Sequence, residues 1–234
     1  MKTKTLIILL VTLGFIQFSY GHALWIQTKS QSKINQTHEV KIFYGEFESQ
    51  EFDEVDKWYS DVKDFKLYLV LPNGESKELQ TTADKNCFTA NFSPEEEGLY
   101  TLHIAHPAKE MYEGRRFDFS STAFVSVGNK ASISKIESPF YIQTTTNSVN
   151  AGQAVEATVF VDQKPADNIE VQIIRADGWI KTVKTDKQGK ISFDSDWKGN
   201  YILEASQTVD KKDQWDGKQM NSIWRGTTTL IQII

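Results

Sequence analysis

The stretch Pro94-Glu95-Glu96-Glu97-Gly98-Leu99-Tyr100-Thr101-Leu102-His103-Ile104 decides the fold of this chain. It reads as an acidic turn, a glycine, and then a strand in which Tyr100, Leu102 and Ile104 share one face at a period of two. A tyrosine that enters a strand just after such a turn has the setting of a tyrosine corner, where the phenol reaches back to the backbone a few residues upstream.

The segments on either side read the same way. Val40, Ile42 and Tyr44 alternate with Lys41 and Phe43, and Phe65, Leu67, Leu69 and Leu71 alternate up to the turn Pro72-Asn73-Gly74. Phe88, Ala90 and Phe92 form another strand, and Thr122 to Val127 closes the set. No long stretch carries the helical period. Seven short strands joined by turns predict an all-β protein whose first domain, residues 22–128, is an immunoglobulin-like β-sandwich. Leu102 stands where an antibody domain has its second Cys. Gly128-Asn129-Lys130-Ala131-Ser132 reads as linker, with 129–135 as the boundary segment. Residues 136–234 predict a second β-sandwich, with alternation at Val155, Ala157, Val159 and Val161 and at Ile169, Val171 and Ile173. Thr185 to Phe193 resembles the hairpin of transthyretin-like and carboxypeptidase-regulatory-like modules. Gly199-Asn200-Tyr201-Ile202-Leu203-Glu204-Ala205 echoes Gly98 to Ile104. Asp210 to Met220 is polar and reads as a loop, and Trp224 to Ile234 as the closing strand.

The amino terminus reads as an export signal over residues 1–21. Lys2 and Lys4 precede an apolar run from Leu6 to Ile16, and Ser19 and Gly21 are the small residues that signal peptidase requires. That run is too short to span a bilayer. Cleavage between Gly21 and His22 would place the chain in the periplasm or outside the cell, not embedded in a membrane. The formal net charge of −5 becomes −7 without the two lysines (−5 − 2). An acidic balance argues against nucleic acid as a partner. Cys87 is the only cysteine, so no intrachain disulfide forms, and its strand-like setting predicts a buried small hydrophobe.

Cleavage would also leave His22 with a free amine, and the amine and imidazole of one residue can chelate one metal ion. Immunoglobulin-like topology puts the start of strand A and the ends of strands B and F at one rim. His22, Glu46 and Glu48 beyond strand B, and His106 at the end of strand F would then meet. Nitrogen ligands in this number suit nickel, cobalt, copper or zinc. His38 opens strand B at the opposite end and reads as a surface residue. His103 reads as a structural or solvent-facing residue. The loop after strand B is acidic, with Glu46, Glu48, Glu51, Asp53, Glu54 and Asp56 interrupted by Phe47, Phe52, Trp58 and Tyr59. The F–G loop facing it carries Lys109, Arg115 and Arg116 with Met111 and Tyr112. These two segments predict either salt bridges between loops or a cleft with a cation-binding acidic wall.

No Gly-x-Ser-x-Gly elbow, phosphate-binding glycine loop or His-Glu-x-x-His occurs, so the chain reads as non-enzymatic. His22-Ala23-Leu24-Trp25-Ile26 and the segment from Tyr44 to Asp53 resemble a secreted bacterial family of uncharacterised domains described as NikM-like periplasmic components of cobalt or nickel transport. That resemblance implies metal capture for a membrane metal transporter or an outer-membrane receptor. Many members carry His where this chain has Glu46, and a second His where it has Ser49 or Gln50. Glu46 would then supply an oxygen ligand. Two other readings differ in class. One is a copper-dependent oxidase with an N-terminal His brace and Tyr44 as its axial ring. The other is a structural, adhesive or glycan-binding module, for which Trp179, Trp197, Trp215 and Trp224 are candidate platforms, although Trp in a small β domain is more often core.

Overall fold

Tyr100 makes the corner that its setting requires. Its hydroxyl donates to the Glu96 carbonyl at 3.1 Å and accepts from the Glu95 and Glu96 amides, each at 3.2 Å. Tyr201 repeats the device, donating to the Trp197 carbonyl at 2.9 Å, also four residues upstream. The echo between the two segments is therefore a shared geometry. The computed structural model describes residues 22–128, 136–144 and 148–234. The expected signal segment 1–21 and the expected linker 129–135 lie outside the described residues.

The first half comprises β1 (Ala23–Thr28), β2 (Gln31–Ser32), β3 (His38–Glu46), β4 (Glu51–Phe52), β5 (Leu67–Val70), β6 (Ser76–Leu79), β7 (Thr82–Ala83), β8 (Phe88–Phe92), β9 (Gly98–Tyr112) and β10 (Arg115–Val127). The second comprises β11 (Phe140–Thr144), β12 (Ser148–Val149), β13 (Ala154–Val161), β14 (Lys164–Pro165), β15 (Glu170–Arg175), β16 (Ile180–Lys184), β17 (Lys190–Asp194), β18 (Gly199–Trp215) and β19 (Lys218–Ile233). Short 3-10 turns at Val55–Lys57 and Val62–Asp64 are the helical elements among the described residues, so none there is long and apolar enough to cross a membrane.

One sheet of the first sandwich runs β1-β3-β8-β7 and faces β10-β9-β5-β6. These are the A-B-E-D and G-F-C-C′ orders of an immunoglobulin-like sandwich. Leu24, Ile26, Val40 and Ile42 from one sheet close on Leu67, Leu69, Leu102 and Ile104 from the other. In the second half, β11, β13 and β17 cover β15, β18 and β19 over Phe140, Val159, Ile173, Tyr201 and Ile231.

The two sandwiches are not beads on a string. β10 pairs in parallel with β19, from Arg115 opposite Ser222 to Thr122 opposite Thr229, so a single ten-stranded sheet serves both halves. Both faces of this seam are covered, and its residues are hydroxylic. Ser121 Oγ accepts from the Ile26 amide, and Thr228 Oγ1 donates to the Leu24 carbonyl, which holds β1 on one face. Thr122 and Thr229 both donate to the Ile142 carbonyl, which holds β11 on the other. Trp25 of β1, Phe43 of β3 and Phe47 just beyond β3 pack with Cys87 against Ile174, Ile202 and Leu230 of the second half. Each large apolar side chain buried there contributes on the order of 1.5–3 kcal/mol, so this cluster fixes the halves to each other. Cys87 is the buried hydrophobe expected of it.

Two segments expected to be loops are strands. The basic residues around Tyr112 belong to the β9–β10 hairpin, whose turn is Glu113-Gly114, and Asp210 to Met220 lies in the β18–β19 hairpin, turning at Asp216-Gly217. Both residues of each turn have positive φ, the geometry that matches strand twist in a two-residue hairpin. The ribbons run beyond the core and bury only isolated residues such as Ala108 and Met220, so the apolar alternation that marks strands is lost.

Candidate functional site

The rim predicted from strand order is where the chain's large cleft opens. Leu24 pairs with Tyr44 and Ala23 with Gly45, which brings the start of β1 to the end of β3. The His22 ring stacks on Tyr44 at 5.5 Å, and its Nε2 lies 3.4 Å from Asp53. Asp53 is held in place by its backbone. Its amide donates to the Tyr44 carbonyl at 2.9 Å, and its carbonyl accepts from Trp58 Nε1 at 3.2 Å. Trp58 and Phe119 support Tyr44 from below, each at 5.6 Å between ring centroids. Gly45 makes this return possible: its φ is +146°, and a Cβ there would strike the Glu51 carbonyl as β4 folds back onto β3.

The acidic segment is thus an ordered fold-back rather than an open loop, with Phe47 and Trp58 buried. Its expected salt bridges to the basic residues of β9 and β10 are not among the described ion pairs. Glu54 takes Lys57 and Lys85, and Arg116 takes Asp118 while lying 4.2 Å above the Trp215 ring.

The structure places His106 in a different setting. It does not close a strand, because β9 runs on to Tyr112. Pro107 lacks an amide, and the ladder shifts register next to it, between Arg116 and Asp118. His106 Nε2 stands 3.3 Å from Asp61, which also accepts from the Lys109 amide and Ser60 Oγ. Burial opposes ionisation of Asp61, but the Lys109 amide, His106 and Ser60 together hold its carboxyl below the ordinary value. His106 is not among the residues that line the cleft. His38, expected at the surface, is buried: Thr28 Oγ1 sits 2.7 Å from its Nε2 and Phe92 packs on its ring. His103 is structural, stacked on Tyr68 and buried. Burial pushes both imidazoles below the usual histidine value.

The cleft encloses about 590 Å³ between the two halves. The first half contributes His22, Tyr44, Glu46, Glu48, Tyr59 and Phe119, and the second contributes Gln172, Ile174, Glu204, Ser206 and Trp224. Burial raises the Glu46 carboxyl, and Glu48, Glu51 and Asp53 raise it further against the opposing pull of His22. Burial, with Glu48 facing it, pushes Glu204 up to about 7. Of the second-half wall, the sequence reading named only Trp224, as a candidate glycan platform, and missed the rest. For Glu204 the signal was a glutamate within the apolar run Tyr201 to Ala205, at the place that His103 takes in the first repeat.

Among the described residues, no group of three or more His, Cys, Asp or Glu side chains is set to hold a metal ion. A cut before His22, as the sequence predicts, would add the terminal amine as a donor. Asp53 contacts Nε2, which leaves Nδ1 on the side of that amine.

No curated protein matches the chain. A family model described as Domain of unknown function (DUF4198) matches residues 19–209, a span that takes in the cleft residues from His22 to Ser206. This protein therefore belongs to the DUF4198 family of domains of unknown function.

Proposed function

We propose that the mature chain, beginning at His22, is an exported periplasmic protein that captures a divalent transition metal ion (nickel, cobalt, copper or zinc) and delivers it to a membrane uptake system. One observation carries the reading: the Nε2 of His22 rests on Asp53, whose backbone is fixed to Tyr44 and Trp58. A carboxylate on one imidazole nitrogen sets the tautomer and frees the other nitrogen for a metal. The terminal amine and Nδ1 of His22 are then the first two ligands, with Glu46 and Glu48 as the oxygen donors of the same rim. His106 joins the ion only by leaving Asp61. Because the imidazole must be neutral to bind, affinity falls on acidification.

The test is calorimetric titration with each of the four ions. Protein cleaved before His22 is compared with a form that carries one residue ahead of it, and with His106→Ala. Tight binding only by the cleaved form supports the reading, and equal affinity in both forms overturns it. Loss of binding in the His106 variant makes His106 the third nitrogen ligand.

A second reading draws on Tyr44, which is buried and stacked on His22. A copper oxidase with an N-terminal histidine would use such a ring beside its metal. Peroxide-dependent cleavage of polysaccharide by the copper-loaded protein would select it.

A further inference from the structure

We propose that the cleft between the two sandwiches is a binding site for an organic dication, a diamine with an aliphatic spacer. This goes beyond metal capture at His22: the site shares Glu46 and Glu48 with that reading, needs neither the His22 amine nor its imidazole, and adds Glu204 and the second-half wall.

Size is the first argument. A volume of about 590 Å³ falls in the range of small-molecule pockets and far exceeds what a single ion fills. Charge is the second. Glu46, Glu48 and Glu204 line the cleft, and the cation lining it besides His22 is Arg115. His22 already faces Asp53, and when all three carboxylates are ionised, three against one guanidinium leave two negative charges over. Among the described contacts Arg115 forms no ion pair with any of them; its Nε donates to Ser222 Oγ at 3.5 Å. None of the three carboxylates forms an ion pair among the described contacts. Unpaired carboxylates in a partly apolar cleft are costly, and a ligand with two positive charges removes that cost.

The wall chemistry is the third argument. Tyr44, Tyr59, Phe117, Phe119 and Trp224 line the same cleft as the carboxylates. Ring faces attract ammonium groups and pack well along methylene chains. Glu48 comes from the first half and Glu204 from the second, so an ammonium shared by them ties the ligand to both. Glu46, at the end of β3 and also lining the cleft, is left for the second charge.

The probe is putrescine, titrated calorimetrically into the wild type, Glu204→Gln, Arg115→Gln and the form with one residue ahead of His22. Putrescine should saturate the wild type, while 1,4-butanediol, which has the same spacer without charge, should give no heat. Glu204→Gln should weaken putrescine about tenfold or more, the loss expected for one charge-assisted contact. Arg115→Gln should tighten it by removing the competing cation. The form blocked at His22 should bind putrescine like the wild type while losing metal, which separates this site from the metal reading. No saturation by putrescine, equal binding of butanediol, or unchanged affinity in both charge variants overturns the proposal. Loss of putrescine in the blocked form overturns it too, by moving the ligand to the terminus. Glu204→Gln removes no described hydrogen bond, and thermal melts of both variants confirm folding.

Discussion

Replacing Glu204 by glutamine should stabilise the protein, and only at neutral to alkaline pH. The folded-state carboxyl titrates near 7 against an ordinary value of 4.5, because burial and Glu48 disfavour its charge. Between those values the folded chain keeps a proton that the unfolded chain has released. Stability therefore falls as pH rises from about 4.5 to 7 and is level above. The shift of about 2.5 units corresponds to at most about 3 kcal/mol at 1.36 kcal/mol per unit. The side chain lies on the cleft wall and is only half-buried, so screening by water reduces this to about 1–2 kcal/mol. Glutamine keeps the shape and removes the titration. Urea denaturation of both proteins should show nearly equal stability at pH 5 and a gain of about 1–2 kcal/mol for the variant at pH 8. For a chain of this size the melting temperature should rise by roughly 2–8 °C. A variant no more stable at pH 8 would refute the reasoning, because it would mean that the carboxylate has a cationic partner in solution.

Three further outcomes follow from the geometry. Tyr100→Phe loses three hydrogen-bond contacts and should cost about 1–3 kcal/mol, whereas Tyr201→Phe loses one and should cost about 0.5–1.5 kcal/mol; thermal unfolding ranks them. Gly45→Ala sets a Cβ against the Glu51 carbonyl at an unfavourable φ, so it should cost roughly 1–3 kcal/mol. It should also loosen Asp53 from His22, seen as weaker metal binding by protein that still melts cooperatively. Burial lowers the His103 and His38 imidazoles, so the unfolded chain takes up protons first and stability is lost as pH falls below about 6.5. This slope is opposite in sign to that of Glu204. His103→Phe, which keeps a ring on Tyr68, should flatten it in urea titrations between pH 7 and 5.

What was legible at the site follows from the reach of local patterns. His22 and Glu46 were placed at one rim because a strand's direction and its sheet order are enough to say which end it reaches. His106 was expected to meet them, but β9 continues past the core, and a bulge beside Pro107 leaves its imidazole on Asp61. His38 was taken as exposed because a polar residue opening a strand is usually solvated; here the Thr28 hydroxyl and Phe92 enclose it. Lys109, Arg115 and Arg116 were read as loop because strands that project from the core carry polar residues on both faces.

The sequence by itself determined the all-β class, most of the core strands, and the immunoglobulin-like order of the first sandwich. Period-two alternation, the Pro72-Asn73-Gly74 turn and the two Gly-x-Tyr corners all act over a few residues, and a buried face selects among so few arrangements that topology follows. Only the tertiary structure decided that the sandwiches share one sheet and that a cleft lies between them. The β10–β19 pairing joins residues more than a hundred positions apart, and its hydroxylic runs Ser120-Ser121-Thr122 and Thr227-Thr228-Thr229 lack the apolar signature of a core. They need none, because both faces of that seam are closed by hydrogen bonds from strands crossing over it rather than by side-chain packing alone. Glu204 and Trp224 reach His22 only because that seam sets the second sheet against the first sandwich.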